Sequence, residues 1–394
     1  RRQRQMCIRD SRIADTYGPL VYHQLGETPR VYGLQEAYTR FFADLDEGQQ
    51  LIREYLDEGG DNNKFKEYDM LTNGKTLKEW LKFANSLRLR LAMRISNVDA
   101  TLAKDQATKA LNDNQGVLEG ARETIAVMGK NYINPLCAVA GWGEVYMNAS
   151  MESIVNGYED PRGKKWYNTA LLEGYQKQLL GIPIGLPMKD GDANIYSSCS
   201  SLNTSTIGEK TGAVLMSAAE VWLLRAEAAL RGYTKENPRT CYEYGVSTSF
   251  TQWDCAGASE YLESDKTPAD YKDVVSGGKV GKDMKALITI SPKWEEDADI
   301  ETKLEKIITQ KWLACWPESY EAWAEQRRTG YPKLFKVQNN TGKVIDTDIM
   351  IRRLPFSTDA ATADPAQYAT LTEKLGGADN GATRLWWDTG KNSF

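Results

Sequence analysis

Residues 310–332 read QKWLACWPESYEAWAEQRRTGYP, and this stretch decides the fold. Trp312, Trp316, Tyr320 and Trp323 recur at offsets of four, four and three, the spacing that lines side chains along one face of helical chain. Four large rings on one face call for a deep apolar partner surface. They are expected in the core, with a ligand platform as the alternative. Pro317 suits the first turn of a new helix, and Gly330 with Pro332 makes a stop signal after Arg328.

Upstream, Ile300, Leu304, Ile307 and Cys315 begin a helix that pairs with the Trp-rich one. Ser217 and Glu220 fit a capping box ahead of Val221, Leu224 and Ala229, and Gly232 is placed to close that helix. Tyr242, Val246, Phe250 and Trp253 mark a second amphipathic run, so 217–253 predicts an antiparallel helix pair. Ala226, Ala228 and Ala229 would let its two members approach closely. Nearer the start, Leu34, Tyr38, Phe41, Leu45, Ile52 and Leu56 keep helical period until Gly59 and Gly60. Thr76 and Glu79 form another box, followed by the apolar stripe Trp80, Phe83, Leu87, Leu91 and Ile95. Arg88, Arg90 and Arg94 share that helix, as a solvated face or as internal ion pairs.

These pairs predict a mainly α chain, an αα superhelix of tetratricopeptide-like units, although no clean 34-residue repeat is visible. The scaffold takes in roughly 12–128, 212–256 and 293–335. Between its parts lie two stretches rich in Gly, Pro, Asn, Ser and Tyr, about 129–211 and 257–292, without sustained helical period. Loops this long in a compact protein are functional or disordered, and their aromatic content argues against disorder. The C-terminal part, 336–394, reads as irregular, with Trp386 and Trp387 plugging back onto the helical body. The first eleven residues, RRQRQMCIRDS, look like translated sequencing-adapter read-through and are set aside from the fold.

The chain has 394 residues, 41% hydrophobic, enough for a large core. No run of about 18 apolar residues offers a membrane span. Net charge is −5, with basic and acidic residues interspersed, which leaves no footprint for nucleic acid. The six cysteines contain no C-x-x-C; Cys241 and Cys255 could bridge in an oxidising compartment, but buried thiols are the first expectation.

A single histidine, His23, removes His-cluster metal sites and most acid–base schemes. Gly74-Lys75-Thr76 has Asp69 where a phosphate-binding loop needs glycine, so Thr76 is better read as a cap. Asp190, Asp192 and Asn194 imitate the start of a calcium loop, but Ile195 and Ser201 fall where its glycine and glutamate belong; neither metal nor cofactor is expected. Glu144 with Glu152 or Asp160 is the carboxylate pair to test for glycoside hydrolysis.

Eleven Trp and 20 Tyr stand against 8 Phe, an excess of rings that carry a polar handle. Such rings pack through their faces while the indole N–H or phenol stays wetted, which suits a sugar or a peptide. The preferred site segment is Tyr132 to Asn148, where Gly141 and Gly143 flank Trp142 and leave little to bury it; Tyr146 and Asn148 lie nearby. Tyr158, Arg162, Trp166 and Tyr196 follow as second choices, each divided between loop core and ligand contact.

The opening stretch resembles the SusD/RagB family of outer-membrane nutrient-binding lipoproteins, in its EAWAEQRRTGYP run. DTYG at Asp15–Gly18, WLKFANSLRLRLAMRIS at Trp80–Ser96, DPR at Asp160–Arg162, MSAAEVWLLRAEAALRG at Met216–Gly232, RRLP at Arg352–Pro355 and LGGADNGATRLWWD at Leu375–Asp388 are similar to that family in the same order. The resemblance implies a single non-catalytic domain over 12–394 at the cell surface of the outer membrane. It would capture an oligosaccharide, or a peptide as RagB-like proteins do, and deliver it to a SusC-like TonB-dependent transporter as a lid over the barrel. It implies that Asp160-Pro161-Arg162 is structural, and it places Tyr17 near the ligand region. It also implies a signal peptide, a lipidated cysteine and opening helices ahead of Asp15, so the chain reads as a fragment whose lipid anchor lies outside it.

Overall fold

The computed structural model describes residues 7–22, 28–72, 74–129, 131–187 and 194–390. In chain order its helices are α1 (Cys7–Tyr17), α2 (Leu34–Asp57), α3 (Leu77–Arg94), α4 (Ala100–Leu111), α5 (Pro135–Ala140), α6 (Ala149–Gly157) and α7 (Gly163–Trp166). They continue with α8 (Ala218–Leu230), α9 (Pro238–Gln252), α10 (Ala258–Leu262), α11 (Ile300–Ala314), α12 (Ser319–Thr329), α13 (Ala360–Ala363) and α14 (Pro365–Leu375). Two short antiparallel ribbons accompany them, β1 (Leu20–Tyr22) with β2 (Arg30–Tyr32) and β3 (Ile125–Val127) with β4 (Ala213–Met216). No described helix is long and apolar enough to cross a membrane.

Helix pairs α3/α4, α8/α9 and α11/α12 stack in series, because α8 packs on both α3 and α11. Helix α8 explains how. Ala218, Val221, Leu224 and Ala228 face one core with α1 to α4 and Trp387, while Ala219, Leu223 and Ala226 face a second core with α6, α7, α9, α10 and α11. A helix apolar on two sides is buried on both, so it joins the cores instead of covering one. It meets α9 tightly at Gly245, where a Cβ would stand 2.6 Å from Leu223 Cγ.

A third, charged stripe of α8 runs along the seam. Arg90 and Arg94 of α3, Glu220 and Glu227 of α8, Lys311 of α11, and Glu321, Glu325 and Arg328 of α12 are all buried there. Arg90 reaches Glu220 at 2.6 Å, Arg94 reaches Glu321 at 2.6 Å and also pairs with Glu325, and Lys311 reaches Glu321 at 2.8 Å. Asp15 of α1 adds a 3.2 Å contact to Arg94. Internal ion pairs are thus the right reading for Arg90 and Arg94. Arg88 is buried too, reaching Asp46, Gln49 and Gln106.

Caps follow the expected chemistry with one exception. Thr76 and Glu79 make the reciprocal box. Ser217 accepts the Glu220 N–H, but the Glu220 carboxylate turns to Arg90, so only half of that box exists. Gly330 ends α12 in the left-handed conformation, which glycine adopts without a Cβ penalty. Asp69 accepts N–H bonds from Leu71, Thr72, Gly74 and Lys75, so its own carboxylate fills the loop where a phosphate would have to sit.

Several expectations are corrected. The four-ring stripe is broken, because α11 ends at Ala314 and α12 starts at Ser319: Trp316 stacks on Trp166, Trp323 lies under Arg327, and Tyr320 is exposed. The loop-rich stretches carry only short helices, α5, α6 and α7 in 129–211 and α10 in 257–292, whereas 336–394, read as irregular, contains α13 and α14. Residues 7–11, set aside from the fold, form the first turns of α1, with Ile8 in the core. Trp387 does plug back as expected, fully buried under Arg94 and Arg327, and Trp386 meets Tyr38 edge-on. Cys137, Cys199, Cys241, Cys255 and Cys315 are free thiols, so Cys241 and Cys255 are not bridged.

Candidate functional site

Helix α5 is a short, well-anchored element. The Asn134 side chain accepts the Leu136 N–H at 2.9 Å and donates to Thr211 O at 2.9 Å, while its own N–H donates to Glu209 O at 2.8 Å. Pro135 occupies the first helical position, where a missing N–H costs nothing. Leu136 and Ala140, one turn apart, pack against the second core. The opposite side of α5 must then face water.

Trp142 follows directly. Its N–H closes on Val139 O at 3.1 Å, Gly143 turns in the left-handed region, and the indole is left 69% exposed. A large ring held out by an anchored turn has forgone the burial that usually places Trp inside. Beyond Gly143 the chain enters an extended run from Val145 to Asn148, hydrogen-bonded to 180–182 on one edge and to 200–202 on the other.

The other predicted contacts separate into two groups. Tyr146 is half-buried against Ala170, Leu180, Tyr196 and Cys199. Asn148 is the N-cap of α6, its side-chain oxygen accepting the Met151 N–H at 2.8 Å, which leaves its amide for other partners. Tyr17 is half-buried, and its carbonyl accepts from Arg353. Tyr158, Trp166 and Tyr196 are corrected: all three lie in the core. Trp166 is buried between Trp316, at 5.1 Å and nearly parallel, and Trp253. Tyr158 donates to Ile290 O, and Tyr196 to Asp273. Arg162 is structural, gripping both oxygens of Asp160, Ser249 and Gln310 amid the rings of Phe250, Tyr261 and Trp166.

Sequence reading missed Ile133, Leu171, Ile184 and Ile195, apolar side chains exposed on the same insertion. The loop signal around them was polar and carried no period by which to sort faces.

The three carboxylates singled out for hydrolysis sit in different surroundings. Glu144 is exposed, Asp160 is committed to Arg162, and Glu152 is buried behind the Gly181 N–H. Among the described residues no His, Cys, Asp or Glu group is arranged to hold a metal. His23, Asp190 and Asp192 lie outside the described residues.

The profile of the SusD-like family, described as Susd and RagB outer membrane lipoprotein, matches residues 8–388. A SusD homolog from Bacteroides vulgatus is 56% identical with a TM-score of 0.95, the match covering 98% of this chain and 78% of that one. A chitin-binding SusD homolog from Flavobacterium johnsoniae is 35% identical with a TM-score of 0.90, covering 98% and 79%. A SusD-like protein from Bacteroides thetaiotaomicron is 32% identical with a TM-score of 0.88, covering 96% and 78%. No curated protein matches. The tetratricopeptide-like stack and the match over nearly the whole chain agree: the chain belongs to the SusD/RagB family of outer-membrane lipoproteins, whose members bind and do not catalyse.

Proposed function

We propose that this protein captures an oligosaccharide on the insertion that carries Trp142 and passes it to a SusC-like TonB-dependent transporter. The exposed Trp142 indole on its anchored turn carries the reading. A pyranose ring offers C–H groups from one face to such an indole while its rim hydroxyls meet polar groups such as the Asn148 amide. Pure binding needs only this complementarity and a few fixed polar groups. The likeness to a chitin-binding homolog from Flavobacterium johnsoniae makes N-acetylglucosamine oligomers the first ligands to try.

Calorimetric titration against N-acetylglucosamine, glucose and xylose oligomers and against mixed peptides tests the reading. Binding to one glycan class that falls at least tenfold in Trp142→Ala supports it. Binding of peptides alone would move the protein to RagB-like peptide uptake, and steady release of shortened glycan would make it a hydrolase. The transporter step is tested separately, by isolating the protein from its native outer membrane. Co-purification of a large TonB-dependent barrel is expected, and recovery without one counts against that step.

A further inference from the structure

Glu152 sits in the first turn of α6 with its side chain buried. Its Oε2 accepts the Gly181 N–H at 2.5 Å, and among the described residues no cation pairs with it. The carbonyl of the same Gly181 accepts from the Tyr271 hydroxyl at 3.3 Å and from Cys199 Sγ at 3.9 Å. A Cβ at Gly181 would lie 2.4 Å from Asn148 O, so the 180–182 backbone rests directly on the start of α6.

Those contacts bear on the run of chain that follows the Trp142 turn. Ile182 N donates to Met147 O at 2.8 Å and Ala149 N to Ile182 O at 3.0 Å. On the other edge Met147 N donates to Ser200 O at 2.8 Å and Leu202 N to Val145 O at 3.1 Å. Val145–Asn148 is thus bonded to both segments, which also bond each other, Ser200 N donating to Leu180 O at 2.9 Å and Leu180 N to Ser200 Oγ at 3.0 Å. Glu152 holds the 180–182 segment of this small ladder.

The groups that face Glu152 give it no counter-charge. Asp273, held by Ser276 and Tyr196, is acidic; Tyr271 and Cys199 are both shifted upward by burial and by the nearby acids, so they stay neutral. Burial, with Asp273 acting the same way, outweighs the single Gly181 N–H and pushes the Glu152 carboxyl up to about 8. The acid therefore keeps its proton where ordinary carboxylates have lost theirs.

We propose that neutral Glu152 is a positioning residue for the glycan surface, clamping the Gly181 segment so that the ladder into which the Trp142 turn leads is set, and releasing it when the carboxyl ionises. This rests on the reading of Trp142 as the glycan contact. Ionisation places an unpaired charge in an apolar seam, which is relieved by admitting water and parting 180–182 from α6.

Amide hydrogen exchange over 145–152 and 178–184, between pH 5 and pH 9 and corrected for intrinsic rates, tests the clamp without any ligand. In the unmodified protein the opening constant rises up to about tenfold per pH unit and levels off beyond pH 8, because the folded state holds a proton the open state lacks. Glu152→Gln keeps an acceptor for Gly181 and should make the profile flat and low; Glu152→Ala should leave the segment open at every pH. The affinity for an N-acetylglucosamine hexamer should fall in step with opening. Superimposable profiles for the unmodified protein and Glu152→Gln overturn the proposal, as does opening that leaves hexamer affinity unchanged. If the profile shifts as expected but no glycan binds at any pH, the clamp is supported and the glycan reading fails.

Discussion

Arg328 and Glu227, 101 positions apart in the chain, meet through two parallel hydrogen bonds of 2.8 and 2.6 Å with both side chains fully buried. Arg328 also holds Glu325 at 2.6 Å and Ser96 at 3.1 Å. One guanidinium thus ties α8, α12 and the end of α3 together. The EAWAEQRR run is the α12 half of this network: Glu321, Glu325 and Arg328 face the seam, while Arg327 lies between the rings of Trp323 and Trp387 and donates to the Asp15 and Arg352 carbonyls.

Removing one partner from such a seam leaves a buried charge uncompensated. Glu227→Ala is expected to lower unfolding stability by about 3–5 kcal/mol. Arg328→Lys should recover little of an Arg328→Ala loss, because an ammonium cannot reproduce the paired fork. Urea unfolding monitored by tryptophan fluorescence measures both; a Glu227→Ala protein as stable as the parent would remove the seam from the account of stability.

The same network fixes the acid limb of stability. Burial alone would raise the Glu321 carboxyl, but Arg94, Lys311 and Arg90 hold it at about 2. Burial likewise favours a raised value at Glu227 and Glu325, but Arg328 with its neighbouring cations outweighs it, and both carboxyls lie below the usual range. A depressed folded pKa contributes stability above the unfolded value, near 4.5, that is lost as pH falls toward the folded one. Stability should therefore drop steeply between about pH 4.5 and about pH 2. Melting curves taken across that window would show it, and a flat series would contradict it.

Two glycines separate close packing from helix propensity. A Cβ on Gly157 would stand 2.3 Å from Ala269 N and 2.4 Å from Pro268 Cα, backbone atoms that cannot swing away. Gly157→Ala should cost about 1–3 kcal/mol and loosen the end of α6 from 268–269. Gly48, inside α2, meets nothing within 4 Å, so Gly48→Ala should stabilise by up to about 1 kcal/mol. Differential scanning calorimetry of the pair distinguishes them by sign.

The helical scaffold was legible because its causes are local. Thr76 with Glu79 and the Trp80 to Ile95 stripe name a helix start and a buried face within twenty residues of chain, and Gly330 names an end. Helix α14 was missed although Asp364, Pro365 and Gly376 are its cap, first turn and stop, because its exposed surface leaves only Leu371 buried and no strong stripe. At the site, Trp142 was readable because Gly141 and Gly143 act locally. Trp166 and Tyr196 were not: both are aromatic residues in a polar loop, and what buries them is Trp316 and Trp253 for the first and the Asp273 region for the second, brought in from far along the chain. Charge partners behaved the same way, since nothing in α3 says that Arg90 will meet Glu220.

Trp142 and Trp166 offer the sharpest comparison, being identical side chains on one insertion with opposite environments. Trp166 is 0% exposed, stacked on Trp316 and edge-on to Trp253, with the Arg162 guanidinium 5.6 Å from its ring. Truncating it leaves a cavity that neighbours already committed to one another cannot close, so Trp166→Ala should cost about 3–5 kcal/mol. Trp142 packs too little to stabilise the fold, and Trp142→Ala should change stability by no more than about 0.5 kcal/mol. The order reverses for glycan affinity: Trp142→Ala should lose at least tenfold, whereas Trp166→Phe, which keeps a ring in the core, should bind as the parent does. Parallel unfolding and calorimetric titration of the three variants measure both properties. If Trp142→Ala destabilises the protein as much as Trp166→Ala, the exposed ring is structural, and if it leaves affinity intact, the ligand is held elsewhere on the insertion.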